Sequence, residues 1–398
     1  MKQTAFQIPV VSPHVSIIIP TYNYGHFIGS TITNIQEQTL EEWECIIVDD
    51  GSTDNTRQII EEFKKSDNRI KYIHQENMYQ AAAKNAGLKV CSGKYIQFLD
   101  ADDLLESRKL ERQFYFLEEH QYVDIVYGNT RYFPSEELDA RWYFMNKNDP
   151  PWIPEISGSG EKVISTIVNN NFLTINSPLI RKSVFEDVGS FDEDLKLVED
   201  WHFWIRCALK VKFVQYENWP LTTALVRSHS TSSSRNRAQV NASTALMRQK
   251  LDILITDEET KLLNKNLLNE LVAWIHLIKR TEQELKNVIG DEQNFILIDQ
   301  DEIRHELKID TCSIIPFMEN DGAFWGLPAD DAEARDELER QIRSGAEFIA
   351  FWWNSFWWRD QYPGFYKHLC ESYVCVINND RLIAFDLANK LYPTPGNS

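Results

Sequence analysis

The chain has 398 residues, 43% hydrophobic and 25% charged, with a formal net charge of −19. That composition is ordinary for a globular protein and allows two or three domains with sizeable cores. Such an acidic balance argues against a nucleic-acid partner, which needs a basic stripe, and an anionic substrate would need a local cation. The six cysteines, Cys45, Cys91, Cys207, Cys312, Cys370 and Cys375, are scattered. They read as reduced thiols of a cytoplasmic protein rather than as a disulfide framework. Met1 to Val11 lacks a basic stretch followed by an apolar one, and no segment reaches the ~20 apolar residues of a spanning helix.

In chain order, Val15 to Ile19 is a β-branched run that stops at Pro20, and helical spacing follows from His26 to Gln38. A strand at Glu44 to Val48, a turn at Asp49 to Thr53 and a helix to Lys65 come next. A strand at Ile70 to His74, an Ala-rich helix at Tyr79 to Val90 and a strand at Tyr95 to Leu99 complete the first hundred residues. Continuous apolar strands alternating with helices predict an α/β domain with a mostly parallel, Rossmann-like sheet covered on both faces. Ligands of such sheets bind at the carboxyl ends of the strands, where the polar clusters Thr21-Tyr22-Asn23, Asp49 to Ser52 and Asp100 to Asp103 fall.

Beyond Ser107 a helix to His120 and a strand at Asp124 to Tyr127 are expected, then a loop excursion from Tyr132 to Gly160. Further helices are expected at Lys162 to Asn170 and Asp200 to Lys210, and strands at Ser177 to Ile180 and Lys212 to Tyr216. Ser228 to Arg237 reads as a serine-rich loop. Ala238 to Lys308, Leu-studded at spacings of three and four, predicts a helical connector. The remainder predicts a small α/β module, with strands at Cys312 to Phe317, Phe348 to Trp352, Tyr373 to Ile377 and Leu382 to Phe385, and helices at Asp330 to Arg343 and Asp360 to Glu371. The expected domains are thus 1–237, 238–308 and 309–398.

Asp100 and Asp102, one residue apart at the tip of a buried strand, repel each other. Two such carboxylates can share a hard divalent cation, Mn²⁺ or Mg²⁺, which keeps places open for substrate phosphates. The competing reading is an Asp-rich loop capping the helix near Ser107, with Asp103 as the cap. Asp-X-Asp alone does not choose between them.

Five segments do. "VSIIIPTYNYGHFI" (Val15 to Ile28), "IIVDDGSTDNT" (Ile46 to Thr56), "AAAKNAGLKVCSGKYIQFLDADD" (Ala81 to Asp103), "GSFDEDLKLVEDWHFWIR" (Gly189 to Arg206) and "VRSHSTSSS" (Val226 to Ser234) together resemble the family 2 inverting glycosyltransferases of the GT-A fold. The resemblance implies a donor site for a nucleoside-diphosphate sugar, usually UDP-linked. In it Pro20 and Tyr22 form the floor of the base pocket, Asp49 accepts a hydrogen bond from the base, and Lys84 stands near the nucleotide where the family commonly has Arg. Asp50 braces the turn, and Asn77 is followed at the usual Gly spacing by Tyr79, a departure. Asp100 contacts the ribose, beside Ala101. Asp102 binds the metal, and His229 joins its shell. Glu199 and Asp200 open the acceptor-site helix. Asp200 serves there as the catalytic base that takes the proton of the acceptor hydroxyl, against the alternative of an acidic pair favoured by the helix dipole. Trp201 and Trp204, on the same helix, either stack on an acceptor sugar or pack in the core.

The resemblance implies an enzyme whose acceptor is a glycan or another small hydroxyl compound, without a membrane span. A nucleotidyltransferase and a non-catalytic sugar- or nucleotide-binding protein are the alternatives. "AEFIAFWWNSFWWRDQYPGFYKHL" (Ala346 to Leu369) holds four of the 12 tryptophans. It leaves three readings open, namely core burial, a glycan platform, or peripheral contact with a membrane surface. The exposure of Trp352, Trp353, Trp357 and Trp358 discriminates among them.

Overall fold

The computed structural model describes residues 12–135, 140–143, 150–210, 212–229, 236–290, 293–299, 303–309, 312–320, 323–324 and 326–391. The chain divides into two compact units, Met1–Ser232 with Ser243–Asn269, and Ser233–Ala242 with Glu270–Ser398.

The first unit contains strands β1 (Val15–Thr21), β2 (Trp43–Asp49), β3 (Ile70–His74), β4 (Tyr95–Phe98), β5 (Leu104–Leu105), β6 (Ile125–Tyr127), β7 (Thr130–Pro134), β8 (Leu179–Arg181), β9 (Val214–Tyr216) and β10 (Ala224–Ser228). Its helices are α1 (Gly25–Gln36), α2 (Thr56–Ser66), α3 (Tyr79–Val90), α4 (Lys109–Glu119), α5 (Glu161–Asn169), α6 (Ser183–Val188) and α7 (Glu199–Leu209). Seven strands form one sheet in the order β3-β2-β1-β4-β8-β6-β9. The sheet is parallel from β3 to β4, and β8 is antiparallel to both of its neighbours. A second, three-stranded sheet runs β5-β10-β7.

The strands read as unbroken apolar runs because both faces are covered. Ile18, Ile46 and Ile96 point into one core with α3, α5 and α7. Ile17, Ile19, Cys45, Ile47 and Tyr95 point into the other with α1 and α4, the two-residue alternation of a pleated strand. Pro20 costs no rung of the ladder. Pairing of β1 with β4 ends at Ile18 and Phe98, so the missing N–H lies where β4 has already turned away.

Several expectations are corrected. Arg237–Leu254 and Glu258–Lys286 are helices, but Asn294–Ile298 is a strand where continued helix was expected. Its core, Phe295 to Ile298, is a short unbroken apolar run, for which periodicity does not separate strand from helix. β10 and α6 lie where no element was expected. The helix expected to be capped by Asp103 begins at Lys109 without a side-chain cap. Part of the Tyr132 to Gly160 excursion (136–139 and 144–149) and most of the Ser228 to Arg237 loop (230–235) lie outside the described residues.

In the second unit a five-stranded sheet runs Ile314–Pro316, Asn294–Ile298, Ala346–Trp352, Leu382–Lys390, Tyr373–Asn378. Its helix Asp331–Arg343 is capped by Asp330, whose carboxylate accepts from Ala332 N and Glu333 N. Trp352 and Trp358 are buried in this unit. Among the described residues no helix is long and apolar enough to cross a membrane.

Helix α3 sits close on β1 because it is built of Ala and Gly; a Cβ on Gly87 would stand 2.5 Å from Ile18 Cγ2. Gly87→Ala is expected to cost about 1–3 kcal/mol of stability through this overpacking, read as a lower midpoint in chemical denaturation. An unchanged midpoint would mean that α3 has room to shift.

Candidate active site

The loops after β1, β2 and β3 are stitched together at the carboxyl edge of the sheet. Asn23, at φ +59°, accepts from Thr53 N at 2.7 Å on its side-chain oxygen and donates its backbone N–H to Ser52 Oγ at 2.9 Å. Gly51 turns with φ +86°, and a Cβ there would meet Asn77 N at 3.0 Å, so glycine is the fitting residue. Asp49 is 1% exposed. Its carboxylate accepts from Ser52 N at 2.8 Å and from the Tyr72 hydroxyl at 2.7 Å, with His74 Nδ1 at 3.8 Å. Asp50 accepts from Gln75 Nε2 and Met78 N, tying this turn to the start of α3. Pro20 is buried beneath, and Tyr22 presents an exposed ring.

The Asp100 to Asp103 turn is held from three sides. Thr31 Oγ1 donates to Ala101 O and Asp103 O. Asn176 accepts from Asp100 N at 2.9 Å and donates to the Asp103 carboxylate. Arg227 donates its backbone N–H to Asp103 Oδ1 and its Nε–H to Asp102 O, both at 2.7 Å. The Arg227 guanidinium lies 4.7 Å from the ring centroids of both Phe27 and Phe133. Asp103 is therefore a buried brace. Its carboxyl is pushed well up by burial and by Asp102 and Asp100, against the hydrogen bonds from Arg227 and Asn176. Asp102 reaches outward, with its Oδ2 2.6 Å from His229 Nε2. Ala101, in the same turn, is buried.

On the opposite side, α7 begins with Glu199 and Asp200 directly after Val198, which holds left-handed backbone at φ +59°. That conformation is rare and strained for a β-branched residue, and it fixes the direction of the two acidic side chains that follow. Asp200 accepts from Trp201 N at 2.7 Å and from Asn171 Nδ2 at 3.3 Å. Glu199 meets Lys84 Nζ at 2.5 Å, with the two side chains 4% and 1% exposed.

These groups act on one another. Burial pushes the Lys84 ammonium down, but Glu199, Asp100 and Asp200 outweigh it and the net shift is upward. Burial raises Asp100, Lys84 opposes, and Asp102, Glu199 and Asp200 add to the rise, leaving the group at about 7. Burial and Glu199 raise Asp200 to about 6 against the pull of Lys84. The structure thus joins Lys84, expected on the donor side, to Glu199, expected on the acceptor side. At 1% exposure Lys84 has almost no surface to offer a nucleotide and serves the cluster as an internal counter-charge. Trp201 donates to Ile167 O at 2.6 Å, and Trp204 is buried in the core.

Among the described residues no three His, Cys, Asp or Glu side chains converge into a ready metal cage. The donor set still fits a hard divalent ion of the kind that uses one or two protein ligands plus substrate phosphates. Asp102 and His229 meet, and Asp100 stands two residues away in a cluster crowded with negative charge.

Sequence reading gave Arg227, Asn176 and Tyr24 no role. Tyr24 faces the same carboxylates; burial, then Asp102, Asp100 and Asp103, push its hydroxyl pKa upward. Arg227 carries a usable signal, because it lies two residues before His229. Both contact Asp102, Arg227 at its backbone O and His229 at its carboxylate.

Residues 16–189 match the family model described as Glycosyl transferase family 2. Over 220 residues the chain is 31% identical to the glycosyltransferase GlyG of Streptococcus pneumoniae serotype 4 (strain ATCC BAA-334 / TIGR4), covering 51% of this chain and 69% of that protein. The chain belongs to glycosyl transferase family 2. It is by class a glycosyltransferase. It is also 43% identical over 116 residues to the UDP-Glc:alpha-D-GlcNAc-diphosphoundecaprenol beta-1,3-glucosyltransferase WfgD of Escherichia coli, spanning 29% of this chain and 45% of that one. A match to GlyA of the same Streptococcus strain, at 32% identity, spans 46% of this chain and 27% of that protein. Among solved structures, S. aureus TarS 1-349 in complex with UDP-GlcNAc superposes with a TM-score of 0.50 at 20% identity, over 65% of this chain and 71% of that one. This is a likeness of fold, the GT-A arrangement, with an additional sheet toward the C-terminus.

Lys84→Met is expected to destabilise this family 2 protein by about 3–5 kcal/mol, because it strands Glu199 as a buried unpaired charge. Adding Glu199→Gln should restore part of the loss. A single variant as stable as the parent in urea titration would show that the pair contributes nothing.

Proposed function

We propose that the protein is a metal-dependent, inverting glycosyltransferase. It moves a sugar from a nucleoside-diphosphate sugar, UDP-linked, to a hydroxyl of a glycan or small acceptor, with Asp200 as general base. The observation that carries this reading is the placement of Asp200. It is a carboxylate at a helix start, braced by Trp201 N and Asn171, held near neutrality, and within electrostatic reach of Asp100 in the Asp-rich turn. The names of WfgD, which cites UDP-Glc, and of the TarS complex with UDP-GlcNAc support the choice of donor.

In this reading Tyr22 stacks on the nucleobase and Asp49, fixed by Ser52 N and Tyr72, accepts from the base N–H. Asp100 takes the ribose. Asp102 and His229 would hold a divalent cation, which when bound supplies positive charge opposite the diphosphate. Asp200 accepts the proton of the acceptor hydroxyl as that oxygen bonds to the anomeric carbon. The bond from that carbon to the diphosphate oxygen breaks on the opposite face, so configuration inverts and the nucleoside diphosphate leaves. Lys84, through Glu199, keeps the negative charge beside Asp200 partly balanced, so that the base can ionise inside a crowded site.

A base must be unprotonated to act. With Asp200 at about 6, kcat should fall as pH drops through that value and level off above it. Asp200→Asn should lower kcat by about 10²–10⁴-fold and leave donor affinity unchanged by calorimetry; near-normal turnover would remove Asp200 from the role. Asp102→Ala should reduce UDP affinity in Mn²⁺ to its metal-free level. If the parent protein binds UDP equally with and without Mn²⁺, the cation has no part in donor binding.

A further inference from the structure

Lys109 is a buried ionisable group outside the acidic cluster. It opens α4, six residues after Asp103, and is 0% exposed. Its Nζ donates to Gln97 Oε1 at 2.5 Å and to Gln113 Oε1 at 2.8 Å, and among the described residues no carboxylate pairs with it. Burial pushes its pKa well down with nothing opposing the shift, which favours the neutral amine. A neutral amine has two N–H donors, and the two amide oxygens receive them.

The two amides carry the effect onward. A buried glutamine can present either its oxygen or its NH₂ to a given neighbour. A donor placed between Gln97 and Gln113 draws both oxygens toward itself and leaves both NH₂ groups for other partners. Gln97 Nε2 donates to Asn176 O at 2.9 Å and to Phe98 O, and Gln113 Nε2 donates to Ser177 O at 3.2 Å. Two consecutive carbonyls just before β8 are thus held by amides that one amine orients. Asn176 itself holds the Asp-rich turn, its Oδ1 accepting from Asp100 N at 2.9 Å and its Nδ2 donating to the Asp103 carboxylate. Lys109, Gln97, Gln113 and Asn176 are all at most 1% exposed, so bulk water cannot stand in for a lost partner.

The network also closes on the chain itself. Gln97 lies in β4, three residues before Asp100, and Lys109 follows the turn. Their hydrogen bond staples the base of the segment 98–108, which carries Asp100 and Asp102. An apolar side chain at 109 could fill the same space, but it would strand two buried amide oxygens. We propose that Lys109 is a positioning residue for the Asp-rich turn, setting Asp100 and Asp102 from inside the core through Gln97, Gln113 and Asn176. It touches neither substrate nor cation. That the turn serves a cation rests on the transferase reading above; that Lys109 sets the turn does not.

The test uses the full chain and Lys109→Met, which keeps an unbranched stem and removes the donor. Without metal, hydrogen exchange at the Asp100 amide should quicken about tenfold, while the amides of β2 keep the parent's rates. By calorimetry, UDP affinity in Mn²⁺ should fall about tenfold. Gln113→Leu leaves Lys109 bonded to Gln97; it should show the same pattern more weakly, and it carries the test where Lys109→Met does not fold. Unchanged exchange at Asp100 in a folded variant overturns the proposal. So does exchange that quickens equally in β2, the mark of a general loss of stability. UDP binding in Mn²⁺ that is undiminished by a loosened turn overturns it as well. If the parent binds UDP equally with and without Mn²⁺, the cation reading fails instead, and exchange at Asp100 alone decides the role of Lys109.

Discussion

Negative charge has to be gathered in one place without unfolding the place that gathers it. Asp100, Asp102, Asp103, Glu199 and Asp200 come from two distant segments, and several of them raise one another's pKa. Water screens such repulsion poorly once the groups are partly buried. A cation inside the protein answers part of it, the Lys84 ammonium, held against Glu199 at 2.5 Å with almost no exposed surface. Because Lys84 belongs to α3 and Glu199 to α7, the same contact also fixes the two helices that flank the site. Removing a buried charge leaves its partner unpaired, so electrostatics and architecture here depend on a single bond.

The donor-side turn solves the same problem by division of labour. Asp103 is spent on structure, taking Arg227 N and Asn176 Nδ2. Arg227 in turn is clamped between Phe27 and Phe133, where ring faces favour a cation. With its neighbour so engaged, Asp102 faces His229 from a fixed backbone. Three consecutive-looking carboxylates thus have distinct environments, which their bare spacing does not reveal.

Much of the first unit was readable because its signals are local. Ile17 to Ile19, Ile46 to Val48 and Ile96 to Phe98 are continuous apolar runs, and two-sided burial is the reason for that pattern. The second unit was less legible at Asn294–Ile298, an apolar run too short to distinguish strand from helix and preceded by a helix of 29 residues. The Lys84 to Glu199 pairing could not be read at all. It joins residues 115 positions apart, and nothing in either segment specifies the other. The tryptophan-rich stretch was ambiguous for a related reason. Composition said that aromatics were abundant, but only the switch from strand to 3₁₀ turn after Trp352 decides which of them face water.

Local rules fail most visibly around the site, and this is informative. Among the described residues five non-glycine positions adopt positive φ, and three of them, Asn23, Tyr79 and Val198, begin or precede segments that carry site residues. Asn23 follows Tyr22 and anchors Thr53 and Ser52 of the neighbouring loop. Tyr79 opens α3, the helix of Lys84, and its hydroxyl accepts from Lys196 Nζ at 2.9 Å, near the approach to α7. Val198 opens α7 itself. A β-branched residue in left-handed backbone costs on the order of 1–2 kcal/mol, and a more permissive residue would relieve it. Strain of this kind persists only where the surrounding contacts over-determine the conformation. For Val198 those contacts are the Lys84 to Glu199 pair and the two hydrogen bonds to Asp200, so the interactions that set the charge of the site are also those that hold its backbone in an unfavourable conformation.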